Sequence, residues 1–426
     1  MKNLKKTLKL ALTGIMLLAI LTSSFLMASA DPGKVDGGTA GTPAIGTLSK
    51  VLEVSDGVEI PDLTFSYAFE KVSVDTNTSD PAKATMPDLS TTTAILGAST
   101  PTSGTDDQAG LNLYKADSPN FLPTAAGDFF PHAGAYVYNV TETASVAETL
   151  GTDASITYSD AQYEMIVHVA NEKVDGKFTG KTYVSAIEYR IKKNDAGDIP
   201  VDEDGDSIAD SKADPVFTNR YKQLTTLEIS KTVAGEYGDL TREFDFSVTL
   251  NKSPAEEAAA PTYVGKIFKI GDTTFATQIG ADVSFVFSEG DTTKTVNGIK
   301  LKHDEVLIFA TIPTTGTPLP TGTTYTVTEN LSDAARPGEK DYLPSVIVTE
   351  NGGTPAAGPV VTAGESLTVS VTTLGEDANI AAFTNTHQNP TITGVLINNL
   401  PYIMLILLAV GGLIAFIAFK RKKSTR

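Results

Sequence analysis

From residue 46 to residue 388 the chain is a succession of short runs rich in Val, Thr, Tyr, Phe and Ile, separated by clusters of Gly, Pro, Asp and Asn. Within the runs apolar and polar residues alternate, and helical periodicity is almost absent outside the two termini. Alternation with period two suits a half-buried strand and no helix, so the body is predicted to be all-β, most simply as β-sandwiches. One ordered pattern occurs twice, a weak internal repeat of a single domain type. The first half carries Leu48 to Leu52, then Tyr136 to Glu142, then Phe217-Thr218-Asn219; the second carries Leu227 to Val233, then Tyr325 to Glu329, then Phe383-Thr384-Asn385. The division falls near Tyr221 to Thr225, giving domains over 46–222 and 223–388. Residues 31–45 have the Gly-, Pro-, Thr- and Ala-rich composition of a linker, and the polar stretch from Asn77 to Gly110 reads as long loops with short strands.

Residues two apart on a strand share a face. Lys50 therefore lies with Leu48 and Leu52, Glu142 with Tyr136, Tyr138 and Val140, and Asn219 with Phe217. The second half repeats this with Lys231, Glu329 and Asn385. One lysine, one glutamate and one asparagine in each half thus point into the core. An isolated buried charge costs several kcal/mol or more, so such groups must be paired, neutralised or consumed by chemistry. Intramolecular amide formation fits. Desolvation lowers the pKa of a lysine and leaves a neutral amine able to attack an asparagine carboxamide. Desolvation keeps a glutamate protonated, so that it polarises the carbonyl and shuttles protons as ammonia leaves. Such a step happens once per domain and is maturation, not turnover.

The two ends have their own signatures. Lys2, Lys5, Lys6 and Lys9 precede an apolar stretch from Leu10 to Leu21, and Ala28-Ser29-Ala30 follows, as in a secretory signal over 1–30. Leu400 to Phe419 is apolar, long enough to cross a bilayer, and stopped by Lys420 to Lys423. Nine of the 33 basic residues lie in these ends, leaving 24 against 51 acidic ones, which disfavours nucleic acid as a partner. There is no cysteine, so an exported chain of this length has no disulfide or thiolate site, and another covalent device becomes worth looking for. The four histidines are scattered without a second ligand or a Gly-flanked serine, so a turnover enzyme is disfavoured and no cofactor is required.

Three resemblances extend this reading. Leu227 to Gly235 with Arg242 to Phe246, the Val-Thr-Glu triplets ending at Glu142 and Glu329, and the Phe-Thr-Asn triplets ending at Asn219 and Asn385 resemble the T-antigen type of Gram-positive major pilin, with its pilin isopeptide-linkage domains. That resemblance implies immunoglobulin-like sandwiches, cross-links Lys50 to Asn219 and Lys231 to Asn385, and Glu142 and Glu329 as the catalytic acids. Residues 389–426, with Pro390-Thr391-Ile392-Thr393-Gly394 before the apolar helix, resemble a Leu-Pro-X-Thr-Gly sorting signal whose proline sits one position early. It implies cleavage by a sortase between Thr393 and Gly394, other subunits and a peptidoglycan precursor as partners, the membrane only before sorting, and a wall-anchored product. In such pilins a lysine shortly before the first domain's last strand accepts the acyl group; Lys212 matches that place, with Lys192 and Lys193 as competitors. A non-polymerised wall-anchored adhesin built of the same domains is the alternative. Finally, the acidic run from Asp202 to Asp210 resembles the calcium loops of thrombospondin type 3 repeats, with Asp202, Asp204, Asp206 and Asp210 as ligands.

Overall fold

The computed structural model describes residues 32–97, 100–106, 110–144, 150–202, 204–311, 316–331 and 339–388, with a few helical residues between 402 and 409. The signal segment, Glu203, Thr393 and Gly394 lie outside the described residues. No helix among the described residues is long and apolar enough to cross a membrane.

Two β domains follow one another, as the alternating pattern predicts. In the first, one sheet runs in the order β1 (Lys34–Val35), β10 (Lys177–Lys193), β9 (Gln162–Val174), β7 (Gly134–Thr143), β3 (Leu63–Val74), β4 (Thr92–Leu96). The other contains β11 (Val216–Thr225), β2 (Ser49–Ser55), β6 (Leu111–Asp117) and β5 (Thr102–Asp106), with β8 (Ala154–Thr157) on the free side of β11. Leu48, Leu52, Val54, Phe217 and Tyr221 of the second sheet pack on Phe65, Tyr67, Tyr138, Val140 and Met165 of the first, which makes the pair a sandwich.

The second domain repeats the plan. Its larger sheet orders β15 (Ile279–Val286), β14 (Thr262–Lys269), β17 (Glu305–Phe309), β12 (Leu227–Ala234), β23 (Asn379–His387), β20 (Tyr342–Thr349) and β21 (Ala356–Ala357). Facing it are β16 (Thr293–Leu301), β13 (Phe244–Asn251), β19 (Thr324–Asn330) and β22 (Leu367–Thr373). Strands β12, β13 and β19 alternate strictly between buried and half-buried positions, so their sequence period is their burial period.

In both domains the first and last core strands are hydrogen-bonded neighbours running parallel, β2 beside β11 and β12 beside β23. A parallel pair needs a long crossover, and here the crossover is the rest of the domain.

Two compositional expectations are corrected. The described part of this arm, residues 32–45, is not a free linker: β1 pairs with β10, Gly38 and Ala44 donate to the carbonyls of Ser185 and Val184, and Ala44 is buried. Glycine and threonine let the arm lie close along that edge, where Gly33 at φ +70° passes against Ala213. The stretch 77–110 carries a short helix, α1 (Asp80–Ala84), capped by Ser79, besides β4 and β5.

The domain junction is tight. Beyond Tyr221, β11 continues to pair with β18 (Leu319–Pro320) of the second domain. The buried Asn379 side chain donates to Thr225 Oγ1 and to the carbonyls of Thr226, Gly375 and Asp377. Arg220 bonds Glu53 at 2.6 Å and lies 3.6 Å from Glu257 across the junction.

Candidate functional site

The two triads are assembled by strand register. On the parallel pair β2/β11, Lys50 stands opposite Phe217 and Asn219 opposite Leu52. On β12/β23, Lys231 stands opposite Phe383 and Asn385 opposite Val233. Each lysine and its asparagine are thus diagonal neighbours on one inward face, with the same offset in both domains. The glutamates come from the facing sheet, Glu142 on β7 opposite Tyr67 and Glu329 on β19 opposite Phe246.

In the first domain Lys50 Nζ donates to Glu142 Oε2 at 3.0 Å, and Asn219 Nδ2 donates to Glu142 Oε1 at 2.9 Å. In the second, Lys231 Nζ forms an ion pair with Glu329 Oε1 at 2.7 Å. Asn385 Nδ2 donates to the same oxygen at 2.6 Å. Both lysine side chains are fully enclosed. All six residues predicted from their faces therefore meet, three by three.

Burial dominates the electrostatics. It pulls Lys50 and Lys231 down to about 8, against the opposing pull of Glu142 and Glu329. Burial likewise pushes Glu142 and Glu329 above the usual carboxylate range, against their lysines. Both shifts bring the neutral amine and the protonated acid within reach of the ion pair, as amide formation requires.

Each site has an aromatic floor that the sequence reading overlooked in the first domain. Lys50 Nζ stands 4.6 Å over the Phe65 ring, and Lys231 Nζ stands 4.4 Å over Phe244. Two residues on, Tyr67 packs on Phe217 with centroids 5.0 Å apart, as Phe246 does on Phe383 at 5.2 Å. The matching spacing of Phe65-Ser66-Tyr67 and Phe244-Asp245-Phe246 was the signal available. These rings exclude water and hold the amine beside its acid.

The carbonyl end of the Asn219 amide has its own partner. Glu142 meets the nitrogen of the Asn219 carboxamide, while the oxygen accepts the backbone N–H of Ser159 at 2.7 Å. A backbone N–H can only donate, so this contact fixes which end of the amide faces Glu142. Ser159 Oγ in turn donates to the half-buried Asp195 at 2.5 Å, and Asp195 also accepts the N–H of Thr218 at 2.9 Å. Neither Ser159 nor Asp195 carries a face or spacing signal, because both sit in loops.

In the acidic loop the carboxylates of Asp202 and Asp210 have local partners. Asp202 Oδ1 accepts the N–H groups of Asp204 and Asp206, and Asp210 pairs with Lys192. Among the described residues no three His, Asp or Glu side chains are placed to share a metal, so the calcium expectation for Asp202, Asp204, Asp206 and Asp210 finds no support here. Backbone bonds such as Ile191 to Ser211 and Ile208 to Pro200 order the loop instead. Lys212 lies beside Arg190 at the margin of β10, exposed, with Nζ 3.9 Å from Glu188. Lys192 is engaged by Glu164 and Asp210, and Lys193 is exposed at the end of β10.

Residues 47–222 match the family described as a Spy0128-like isopeptide containing domain, and residues 225–387 match a domain family of unknown function, DUF7601. A pilin of Streptococcus pyogenes serotype M1 is 25% identical over 303 residues, covering 70% of this chain and 72% of its own length. The solved major pilin from Streptococcus pyogenes aligns over 84% of this chain and 100% of its own at 20% identity, TM-score 0.32. A further major pilin structure from that organism aligns over 82% and 100% at 19% identity, TM-score 0.28. The chain is thus similar in sequence to a pilin of Streptococcus pyogenes, and its first domain matches the Spy0128-like isopeptide containing domain.

Proposed function

We propose that the chain is a structural subunit of a sortase-assembled surface pilus, each domain locked by one Lys-Asn isopeptide bond, Lys50 to Asn219 and Lys231 to Asn385. The observation that carries this reading is the enclosed Lys-Glu-Asn triad, built twice at the same register between parallel first and last strands. An ion pair buried this completely is a poor stabiliser by itself, whereas its conversion to a neutral amide removes both charges from the core. Glu142 and Glu329 act once, as proton carriers.

The export, anchoring and polymerisation steps rest on the terminal signals. In this reading sortase cleaves between Thr393 and Gly394 and transfers the acyl group to Lys212 of another subunit, and the finished fibre passes to a peptidoglycan precursor at the wall. Lys212 is chosen for its place shortly before β11, where it is exposed. Cells expressing the chain with its sortase are expected to give a ladder of SDS-resistant multimers on an immunoblot. Lys212→Ala should collapse the ladder to monomer while leaving the monomer folded. A ladder unchanged by Lys212→Ala moves the acceptor to another lysine, and no ladder in the wild type leaves a monomeric wall-anchored adhesin.

The pH dependence of bond formation follows from the triad. The reactive state, neutral amine with protonated acid, holds the same number of protons as the ion pair, so its share is level between the two pKa values. Above about 8, where the lysines lose the shared proton, the rate should fall about tenfold per pH unit. At low pH a second proton arrives, the amine stays charged, and the rate falls again. Mass spectrometry of unreacted chain refolded over a range of pH would check this; a rate still rising beyond pH 9 would show that the acid needs no proton.

A further inference from the structure

In the first domain the Asn219 carboxamide is gripped at both ends, by Glu142 on Nδ2 and by Ser159 N–H on Oδ1. In the second, Asn385 Oδ1 and Glu329 Oε2 are buried with no hydrogen-bond partner among the described residues. Ser159 lies on the crossing from β8 in one sheet to β9 in the other. Asp195 ties that crossing to the last strand: its carboxylate accepts Ser159 Oγ and the N–H of Thr218, the residue before Asn219, and its carbonyl accepts the N–H of Asp160. A second carboxylate near Lys50, half-buried in the loop, is costly unless it is fully bonded, and these bonds are the ones that aim Ser159.

We infer that the backbone N–H of Ser159 is the oxyanion donor for bond formation in the first domain, and that Asp195 is the residue that positions it. The inference rests on the reading that Lys50 and Asn219 become joined. In the step, the neutral Nζ of Lys50 attacks Cγ of Asn219, and the carbonyl electron pair moves onto Oδ1, where the Ser159 N–H stabilises it. Glu142 gives its proton to Nδ2 and takes one from the attacking nitrogen. The Cγ–Nδ2 bond breaks, ammonia leaves, the carbonyl re-forms and Glu142 is protonated as before. The second domain has no counterpart of this donor among its described residues, and there Glu329 meets only the Nδ2 end of the amide.

The test uses the chain over residues 31–393, made unreacted in urea and refolded at neutral pH, with each bond followed by quenched mass mapping. Ser159→Pro, which removes the N–H, is expected to slow the Lys50 to Asn219 bond about 100-fold while the Lys231 to Asn385 bond keeps its rate as an internal clock. Asp195→Ala should slow the first bond as well, and Asp195→Asn, which still accepts from Ser159 and Thr218, should restore most of the rate. The same substitutions in a Lys50→Ala background, where no first bond can form, measure any loss of folding by itself. A wild-type rate for the first bond in both Ser159→Pro and Asp195→Ala, or a slowing no larger than the unfolded fraction in that background, overturns the inference. If Ser159→Pro does not fold, the contrast between Asp195→Ala and Asp195→Asn decides. Absence of both bonds from the wild type would instead remove the underlying reading.

Discussion

Intact mass spectrometry of the folded body, residues 31–393, is expected to give a value about 34 Da below the sequence mass, one ammonia of about 17 Da for each bond. The amine and the amide are held by the same carboxylate in each core, Lys50 and Asn219 by Glu142, Lys231 and Asn385 by Glu329. The chain has no cysteine, so no disulfide contributes to the mass difference, and peptide mapping assigns each lost ammonia to its Lys-Asn pair. Glu142→Ala and Glu329→Ala should each restore one ammonia independently, because the triads occupy separate cores. Fully folded wild type at its unmodified mass would defeat the isopeptide reading outright.

The second large effect is mechanical. If Lys212 and Thr393 are the junctions of a subunit, tension enters beside β10, passes along β11 through Asn219, and reaches β12 within a few residues of the domain boundary. Lys231 and Asn385 lie near the entry to and exit from the second domain, so a bond between them carries load past all intervening strands. Lys231→Ala should therefore let a pulled subunit lengthen by about 50 nm as residues 231–385 are drawn out. Lys50→Ala should hardly change the extension, because most of the first domain lies off this path. Its effect is thermal: losing a cross-link of this span removes about 5 kcal/mol by the chain-entropy account. For a domain of this size that is a melting point lower by roughly 10–20 °C. Single-molecule pulling between residues 212 and 393 separates the two variants. Equal lengthening in both would mean that force enters elsewhere than Lys212.

The sequence made the β architecture and the six triad residues legible for one reason. Period-two alternation exposes any polar residue that falls on the apolar face, and Lys50, Glu142 and Asn219 stand out among Leu, Tyr, Val and Phe neighbours just as Lys231, Glu329 and Asn385 do. What alternation cannot carry stayed hidden. Ser159 and Asp195 act from loops, one through a backbone N–H that every non-proline residue possesses, so no residue type marks them. Residues 31–45 looked like a linker because glycine and threonine suit both a free tether and an arm packed along a sheet edge. In the acidic loop Asp202 uses its carboxylate to hold the backbone of Asp204 and Asp206, a role aspartate fills in many turns and one that spacing alone does not separate from a cation ligand.

The parallel pairing of first and last strands also sets an order of events. A chain delivered from its N-terminus presents the lysine strand first, the glutamate strand well before the end, and the asparagine strand only when the whole domain is available. A contact of such long sequence separation is among the last and slowest to form. Until then the lysine has a carboxylate for company and no amide to attack, so premature or misdirected joining is suppressed by geometry. If the bonds form as proposed, each is a chemical record that its domain reached its native register. A population of chains sorted by mass would be sorted by folding history.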